Sequence, residues 1–549
     1  MSLFRFILLF SIPTCFINCA NQSSPTGGPK DVDPPILESS SPKPDELNFT
    51  EKKIELVFNE FIRLENIKEQ LIISPKINQE YKSKYKKNRI IIEFEQPLDS
   101  NTTYTFSFRE SIKDITESNF PPNLKLAFST GYYMDSLSIS GKAIDLLKQQ
   151  PLDKITISLY QAKDTLDPFN SPPLYLAVTN AVGAFQINNI KQGEYKIYAF
   201  TDNNKNLQLE SSSEKYAFHP STLKLDSAIA ALNLELFGLD TSPLELQSAR
   251  TSGHYYILKY NKFITNYEIT NYTNDTIITR KNEEGKEIKF YNTFPITDSL
   301  MFTITATDSL NIQRTDTAYL KFEETKREKD RFDYKIFTKD IDPSKPQLDI
   351  NINFSKPSYF VNNDSLFIEL DSINKIYFSE DNYSWSDNNT RLKIIKPLNL
   401  EVMTIKDSIK ETQRTKFNLY AGTQTFMSIE QDSSSTLKKT INTINTKNVG
   451  LIKVEILTDK PNYTLQLLNK QFEVIKEVHN IKSHSFDNLS PGQYQLRVLI
   501  DSNNDGIWNT GNILTNQSAE PIHYYQTSEG KKELTLRANW ELGPHIISF

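Results

Sequence analysis

Apolar side chains recur at every second position in short runs along most of the chain. Ile54, Leu56 and Phe58 make one run; Ile90, Ile92 and Phe94, then Tyr104, Phe106 and Phe108, then Leu124, Leu126 and Phe128 make others. A period of two is the side-chain repeat of a pleated strand, and strands buried on one face pack as antiparallel sandwiches. Clusters of Asn, Asp, Ser and Thr separate the runs, as turns require, because short polar side chains hydrogen-bond to nearby backbone. Ile155, Ile157 and Leu159 continue the alternation, and SLMFTITATDSLNIQRTDTAYLKF, from Ser299 to Phe322, reads as a hairpin. The pattern predicts an all-β fold. At 549 residues the chain is too long for one core, so a tandem array of β-sandwich domains is expected.

The N-terminus breaks this pattern. MSLFRFILLFSIPTCFINC carries one positive charge at Arg5 and an apolar core from Phe6 to Ile17, followed by Cys19 and the small Ala20. That is the layout of a signal peptide, and a core of about a dozen residues is too short for a bilayer-spanning helix. Phe16-Ile17-Asn18-Cys19 resembles the bacterial lipobox, with Phe16 and Asn18 standing where that motif favours Leu and a small residue; Ile12-Pro13-Thr14 before Cys15 fits it less well. The resemblance implies that residues 1–19 are a lipoprotein signal peptide whose lipidated Cys19 anchors the protein to a membrane. Plain secretory cleavage that leaves a free thiol is the alternative. With Cys19 acylated and Cys15 removed, no thiol is left for a disulfide or a Cys-ligated metal. Residues 20–32 lack periodicity and are rich in Ser, Pro and Gly, the composition of a flexible tether.

Further resemblances and a repeat divide the rest. PPILESSSPKPDELNFTEKKIELVFNEFI, with LIISP, LDSNTTYTFSF and KLAFSTG, resembles the bacterial immunoglobulin-like (Ig-like) domain of surface-layer proteins. This places such a domain at 33–131 and implies a structural or adhesive module without catalytic residues. GAFQINNIKQGEYKIYAFTDNNKN, from Gly183, resembles the transthyretin-like or carboxypeptidase-regulatory-like sandwich, assigned to 138–237. Asn188 to Tyr195 and Asp202 to Asn204 match Asp487 to Tyr494 and Asp501 to Asn503 at one constant offset of 299 residues. An offset kept through both strand and loop implies the same unit twice, so 449–549 is expected to be a second transthyretin-like sandwich. Between them, 238–325 is read as a β-sandwich and 326–448 as an Ig-like β-sandwich, split at the charged run ETKREKDR. The order of modules resembles that of Ig-like-domain lipoproteins of the Bacteroidota.

Charge and composition narrow the function. Lys+Arg 62 against Asp+Glu 68 gives a net charge of -6, no basis for nucleic-acid binding, which needs clustered cations. The one basic run, Lys82, Lys84, Lys86, Lys87 and Arg89, reads as the solvated turn of a hairpin whose next strand starts at Ile90. Only 16 Gly argues against phosphate-cradling loops.

The sharpest candidate chemistry is DSNNDGIWNTG, from Asp501 to Gly511. Asp501, Asn503 and Asp505 alternate as hard oxygen ligands, Gly506 permits a tight turn, Ile507 offers its carbonyl and Asn509 a further oxygen, which is the first part of a calcium loop. Asn512 stands where an EF-hand needs a bidentate Glu, so a complete EF-hand is excluded; a turn of Asn, Asp and Gly is the competing reading. The equivalent loop at Asp202, Asn204 and Asn206 has Leu207 in place of Gly and fewer carboxylates. No other cofactor is expected.

Catalytic motifs are lacking: none of the six His lies in a helical HExxH, and there is no GxSxG elbow or Walker loop. His479 and His484 read as solvated residues flanking a hairpin turn, and Glu60 with Glu65 as ordinary strand charges. Tyr132, Tyr133, Tyr255, Tyr256, Tyr383, Trp385 and Trp508 are candidates for an exposed aromatic face that binds sugar or protein. Asp-Ser/Thr-apolar triplets at Asp135, Asp164, Asp298, Asp308, Asp316 and Asp364 resemble the O-glycosylation motif of exported Bacteroidota proteins, with a turn entering a strand as the alternative. The expectation is a non-enzymatic lipoprotein of the cell envelope, lipid-anchored to the outer membrane on a side left open. It would act as a scaffold for a protein partner, by resemblance outer-membrane protein assembly or secretion machinery, or alternatively as a surface glycan-binding or adhesive protein.

Overall fold

The computed structural model describes residues 31–549 apart from 272–276, 295, 297 and 407–410. The signal-peptide and lipidation readings at Cys19, and the tether before Asp31, lie outside the described residues. Among them, strands dominate: the α-helical content is the single turn Ile67–Gln70, and no helix is long and apolar enough to cross a membrane. The all-β expectation holds.

The alternation seen in the sequence is what builds the cores. In Lys53–Phe58 every second side chain is buried, and its partner Arg89–Phe94 aligns Ile54 with Ile92 and Leu56 with Ile90, all fully buried. Five such cores follow one another along the chain, spanning Phe49 to Phe128, Ile139 to Leu236, Leu244 to Leu320, Phe332 to Ile441 and Ile452 to Ile547. Each lies between facing sheets, and they are called the first to fifth sandwiches below. The hairpin read from Ser299 to Phe322 is the pair Leu300–Asp308 and Gln313–Leu320. The basic run departs slightly from expectation. Lys82, Lys84 and Lys86 sit on the edge strand Tyr81–Lys86 itself, where lysines discourage pairing with a further strand, rather than in the turn.

The second and fifth sandwiches have one topology. In the second, Leu137–Asp145 lies between antiparallel Ala184–Ile190 and parallel Ile229–Leu236; in the fifth, Gly450–Leu457 lies between antiparallel Ser483–Leu489 and parallel Glu541–Ser548. The facing sheets match as well, with Thr156–Gln161 beside Gly193–Phe200 and Tyr463–Asn469 beside Gly492–Ile500. Even the turn before the long strand is the same: Tyr195 Oη donates to the Lys191 carbonyl at 2.8 Å, and Tyr494 Oη to the Ser490 carbonyl at 2.7 Å.

Neighbouring sandwiches touch through specific polar contacts. Thr105 bonds Asn189 between first and second, Thr241 at the entry to the third donates to Ser211 of the second, Tyr255 Oη donates to Glu430 between third and fourth, and Asn488 donates to Asp342 between fourth and fifth. The fifth then returns to the second. Leu146, Phe200, Leu209, Tyr216 and Phe237 of the second form a sixth apolar cluster, against which Trp508, Ile513, Ala519 and Ile522 of the fifth pack. The Leu147 carbonyl accepts from Arg497 Nη1 at 3.0 Å and from Tyr524 Oη at 2.5 Å. Sandwiches two to five thus close a circuit of contacts, and the first stands outside it.

The third sandwich contains a buried ion pair. Lys262 Nζ lies 2.5 Å from Asp308 Oδ2, with side chains 4% and 0% exposed. Lys262 also donates to the Ser242 carbonyl at 2.6 Å, while Asp308 Oδ1 accepts the Leu310 and Ile312 amides. Asp308 is therefore a structural anchor of its turn. Removing one member of such a pair strands the other charge in the core, so Lys262→Met is expected to lower the local unfolding free energy by about 3–5 kcal/mol, read by native-state hydrogen exchange of amides in Leu300–Asp308. A loss below about 1 kcal/mol would show that the pair does not hold the turn.

Candidate functional site

The strand Gly492–Ile500 is buried along almost its whole length and delivers Asp501 to the mouth of a loop. Asp501 is 6% exposed. Its Oδ2 accepts the Gly506 amide at 2.9 Å, while Oδ1 is shielded from solvent and has no hydrogen-bond partner among the described residues. Gly506 has φ 90, a left-handed conformation that glycine adopts freely. Asn503 Oδ1 accepts the Asp505 amide at 2.8 Å and Asp505 Oδ1 the Ile507 amide at 2.9 Å, so each polar side chain props the next turn of backbone. Asn503 and Asn509 each donate Nδ2 to Asp505 Oδ2, at 3.0 and 3.1 Å. The Ile507 amide holds the exposed Asp505 carboxyl below the usual carboxylate range. All five residues singled out in the sequence, Asp501, Asn503, Asp505, Ile507 and Asn509, therefore share one turn.

A sixth residue completes the loop and was missed. Glu520 is 6% exposed; its Oε1 accepts the Ser502 and Asn503 amides at 2.7 and 3.1 Å, and Oε2 the Asn509 amide at 2.9 Å. The signal lay in the repeat: Ser518-Ala519-Glu520 has a counterpart in Ser212-Ser213-Glu214, each just before a short strand. Glu214, 3% exposed, accepts the Asn203 and Glu210 amides at 2.8 and 3.0 Å. Asp202 mirrors Asp501: Oδ2 accepts the Leu207 amide at 3.2 Å and Oδ1 is shielded, with no hydrogen-bond partner among the described residues. Burial pushes the Asp202 and Glu214 carboxyls up. Leu207 takes the left-handed φ of 61 that Gly506 relieves.

The two loops differ in length. Glu214 follows Asp202 by 12 residues and Glu520 follows Asp501 by 19, and the longer loop is the one that carries Trp508 and Ile513 onto the second sandwich. Trp508 Nε1 also donates to the Glu520 carbonyl at 3.2 Å. Among the described residues, no group of three or more His, Cys, Asp or Glu is placed to hold a metal ion. Within residues 501–509 the oxygen donors are the Asp501 and Asp505 carboxylates with amide and carbonyl oxygens, and Glu520 closes the loop as a third carboxylate whose oxygens accept backbone amides.

The remaining candidates separate. Tyr255 and Tyr256 are 5% and 4% exposed, Tyr383 and Trp385 pack against the fourth core, and Trp508 packs between sandwiches, so these residues do not form one aromatic face. Tyr132 and Tyr133 alone of the seven are exposed, at 74% and 40%, with rings edge to face at 5.2 Å. His479 and His484 are not on one hairpin: Val474–His479 and Ser483–Leu489 belong to opposite sheets. His479 bonds Thr464 and His484 packs on Phe486. Glu65 is paired with Lys113 at 3.2 Å and Arg63 at 3.4 Å, which leaves no free carboxylate pair with Glu60. A cleft of about 490 Å³ lies where the second and fifth sandwiches meet, lined by Gln149, His523, Tyr524, Tyr525 and Lys532 among others.

Residues 31–130 match the family model described as a bacterial Ig-like domain, in agreement with the resemblance read from the sequence. No curated protein matches the chain. Among solved structures, the major pilin subunit BcpA of Bacillus cereus is 9% identical, with 75% of this chain and 99% of that one covered and a TM-score of 0.14. The N-terminal part of the bacterial S-layer protein SbsC is 13% identical over 53% of this chain and 45% of that one, TM-score 0.14. Dimeric latent PorU from Porphyromonas gingivalis is 8% identical over 68% and 46%, TM-score 0.22.

Burial lowers the pKa of both His523 and His545 in the fifth sandwich. Their folded values lie below the ordinary one of about 6.5, so near and below that pH the unfolded chain binds more protons than the folded one and stability falls as pH falls. Acidification from about pH 7.5 to 5.5 is expected to lower the unfolding midpoint of this sandwich, and the double variant His523→Gln, His545→Gln to flatten the dependence. A wild-type midpoint that rises on acidification would contradict the assignment.

Proposed function

We propose that the protein is a non-enzymatic scaffold of the bacterial cell envelope that presents a rigid assembly of sandwiches to a protein partner. The observation that carries this reading is the closed circuit of sandwiches two to five, with the first sandwich leading from it to the N-terminal segment. Such an arrangement holds a large surface at fixed geometry, which suits binding across many contacts. Lipidation at Cys19, anchoring to the outer membrane, and a partner in outer-membrane protein assembly or secretion belong to the same proposal and rest on the lipobox resemblance and the order of modules. A second reading, glycan binding or adhesion, draws on the exposed Tyr132 and Tyr133, whose paired rings offer a stacking surface.

The test joins the anchor to the role. Wild-type protein is expected to incorporate labelled fatty acid, to sediment with outer membranes and to retain an integral β-barrel protein on purification; Cys19→Ser is expected to lose the label and the sedimentation. A wild-type protein without label, or one that purifies alone and binds a polysaccharide panel, would overturn the scaffold reading.

A further inference from the structure

Asp501 Oδ1 is a buried carboxylate oxygen without a hydrogen-bond partner among the described residues, a state that costs free energy unless a donor or a cation completes it. The carboxylate faces into its loop, because the companion Oδ2 takes the Gly506 amide across the turn. The same orphaned oxygen recurs at Asp202, in the other copy of the unit. The 501 loop adds a second carboxylate, Asp505, together with Asn503, Asn509 and the Ile507 carbonyl. In the 202 loop the further carboxylate is Glu210, which accepts the side-chain amides of Asn204 and Asn206 much as Asp505 accepts those of Asn503 and Asn509, but it lies outside the turn and Leu207 stands where the 501 loop has Gly506. Oxygen donors of mixed charge in an irregular turn suit Ca2+, which accepts 6–8 oxygens in flexible geometry, better than Mg2+, which demands a near-ideal octahedron.

The loop is also a docking element. Glu520 ties its start to its middle by accepting the Ser502, Asn503 and Asn509 amides, and the Glu520 carbonyl fixes the Trp508 indole. Trp508, Ile513 and Ala519 then pack on Phe200, Leu209 and Phe237 of the second sandwich. Asn516 Nδ2 reaches the Pro220 carbonyl. Order imposed at Asp501 and Asp505 is thus transmitted to the contact that closes the circuit.

We propose that residues 501–509 bind one calcium ion, with Asp501 Oδ1 as a ligand, and that the ion latches the fifth sandwich onto the second. Two carboxylates place the affinity in the weak class, Kd about 10⁻⁴–10⁻³ M, as in extracellular modules. The turn from Asp202 to Asn206 has no second carboxylate within it and Leu207 in place of the glycine, so the stoichiometry is one ion per chain.

The test is calorimetric titration of the full chain with CaCl2 after chelation, alongside hydrogen exchange with and without the ion. One saturable site is expected, weakened at least about tenfold by Asp501→Asn and by Asp505→Ser. Asp505 is exposed and outside the fifth core, so its variant keeps the sandwich, and the comparison is made with and without the ion within each protein. Calcium is expected to slow exchange across residues 508–524 and 200–209 in the wild type and not in Asp505→Ser. No saturable heat up to about 10 mM CaCl2, or binding undiminished in both variants, overturns the site. Binding that leaves exchange in both segments unchanged overturns the latch.

Discussion

The apolar contact between the fifth and second sandwiches is the constraint on which the arrangement of the molecule depends. Consecutive sandwiches are neighbours through the chain itself, and short linkers would hold them together at many angles. The return contact joins segments about 300 residues apart in sequence, through Trp508 and Ile513 against Phe200 and Phe237, and through one carbonyl, that of Leu147, shared by Arg497 and Tyr524. Burying a large apolar side chain contributes about 1.5–3 kcal/mol. Because the partners are already linked, the contact forms at a high effective concentration and a modest patch suffices. Once it forms, the third and fourth sandwiches, held by contacts such as Tyr255 with Glu430 and Asn488 with Asp342, have little freedom left.

A repeated unit meets its own copy at this contact without the symmetry of a homodimer. Both copies keep the buried Asp and Glu that shape the loop, Asp202 with Glu214 and Asp501 with Glu520. The longer loop of the second copy changes the outcome, since its added residues cover the face that the first copy leaves apolar. The first sandwich remains outside the circuit, joined to the second by Thr105 with Asn189 and by the Lys76 amide on the Leu174 carbonyl.

What the sequence disclosed was local. Ile54, Leu56 and Phe58 alternate because one face of a strand is buried, and that pattern can be read without knowing the partner strand. The 299-residue offset showed the repeat because strand and turn residues recur together. What stayed hidden depends on contacts distant in sequence. Tyr255 and Tyr256 are adjacent on a strand and point to opposite faces, so one is expected to be exposed. Tyr256 enters the third core, and Tyr255 is covered by the Asp330 amide, Lys289 and Glu430 at the junction with the fourth sandwich. Trp508 reads as part of a surface turn until the second sandwich is in place. Glu520 belongs to the 501 loop only through folding, since nothing in the motif itself reaches that far.

The central claim, that the chain closes on itself from the fifth sandwich to the second, can be measured as one distance. Thr222 and Thr515 are exposed and lie within two residues of the Pro220 and Asn516 contact. Spin labels at these positions, in a chain with Cys15 and Cys19 replaced by Ser, are expected to give a single narrow distance below about 35 Å by pulsed electron resonance. A broad distribution centred beyond about 50 Å would mean an open string of sandwiches and would contradict the account.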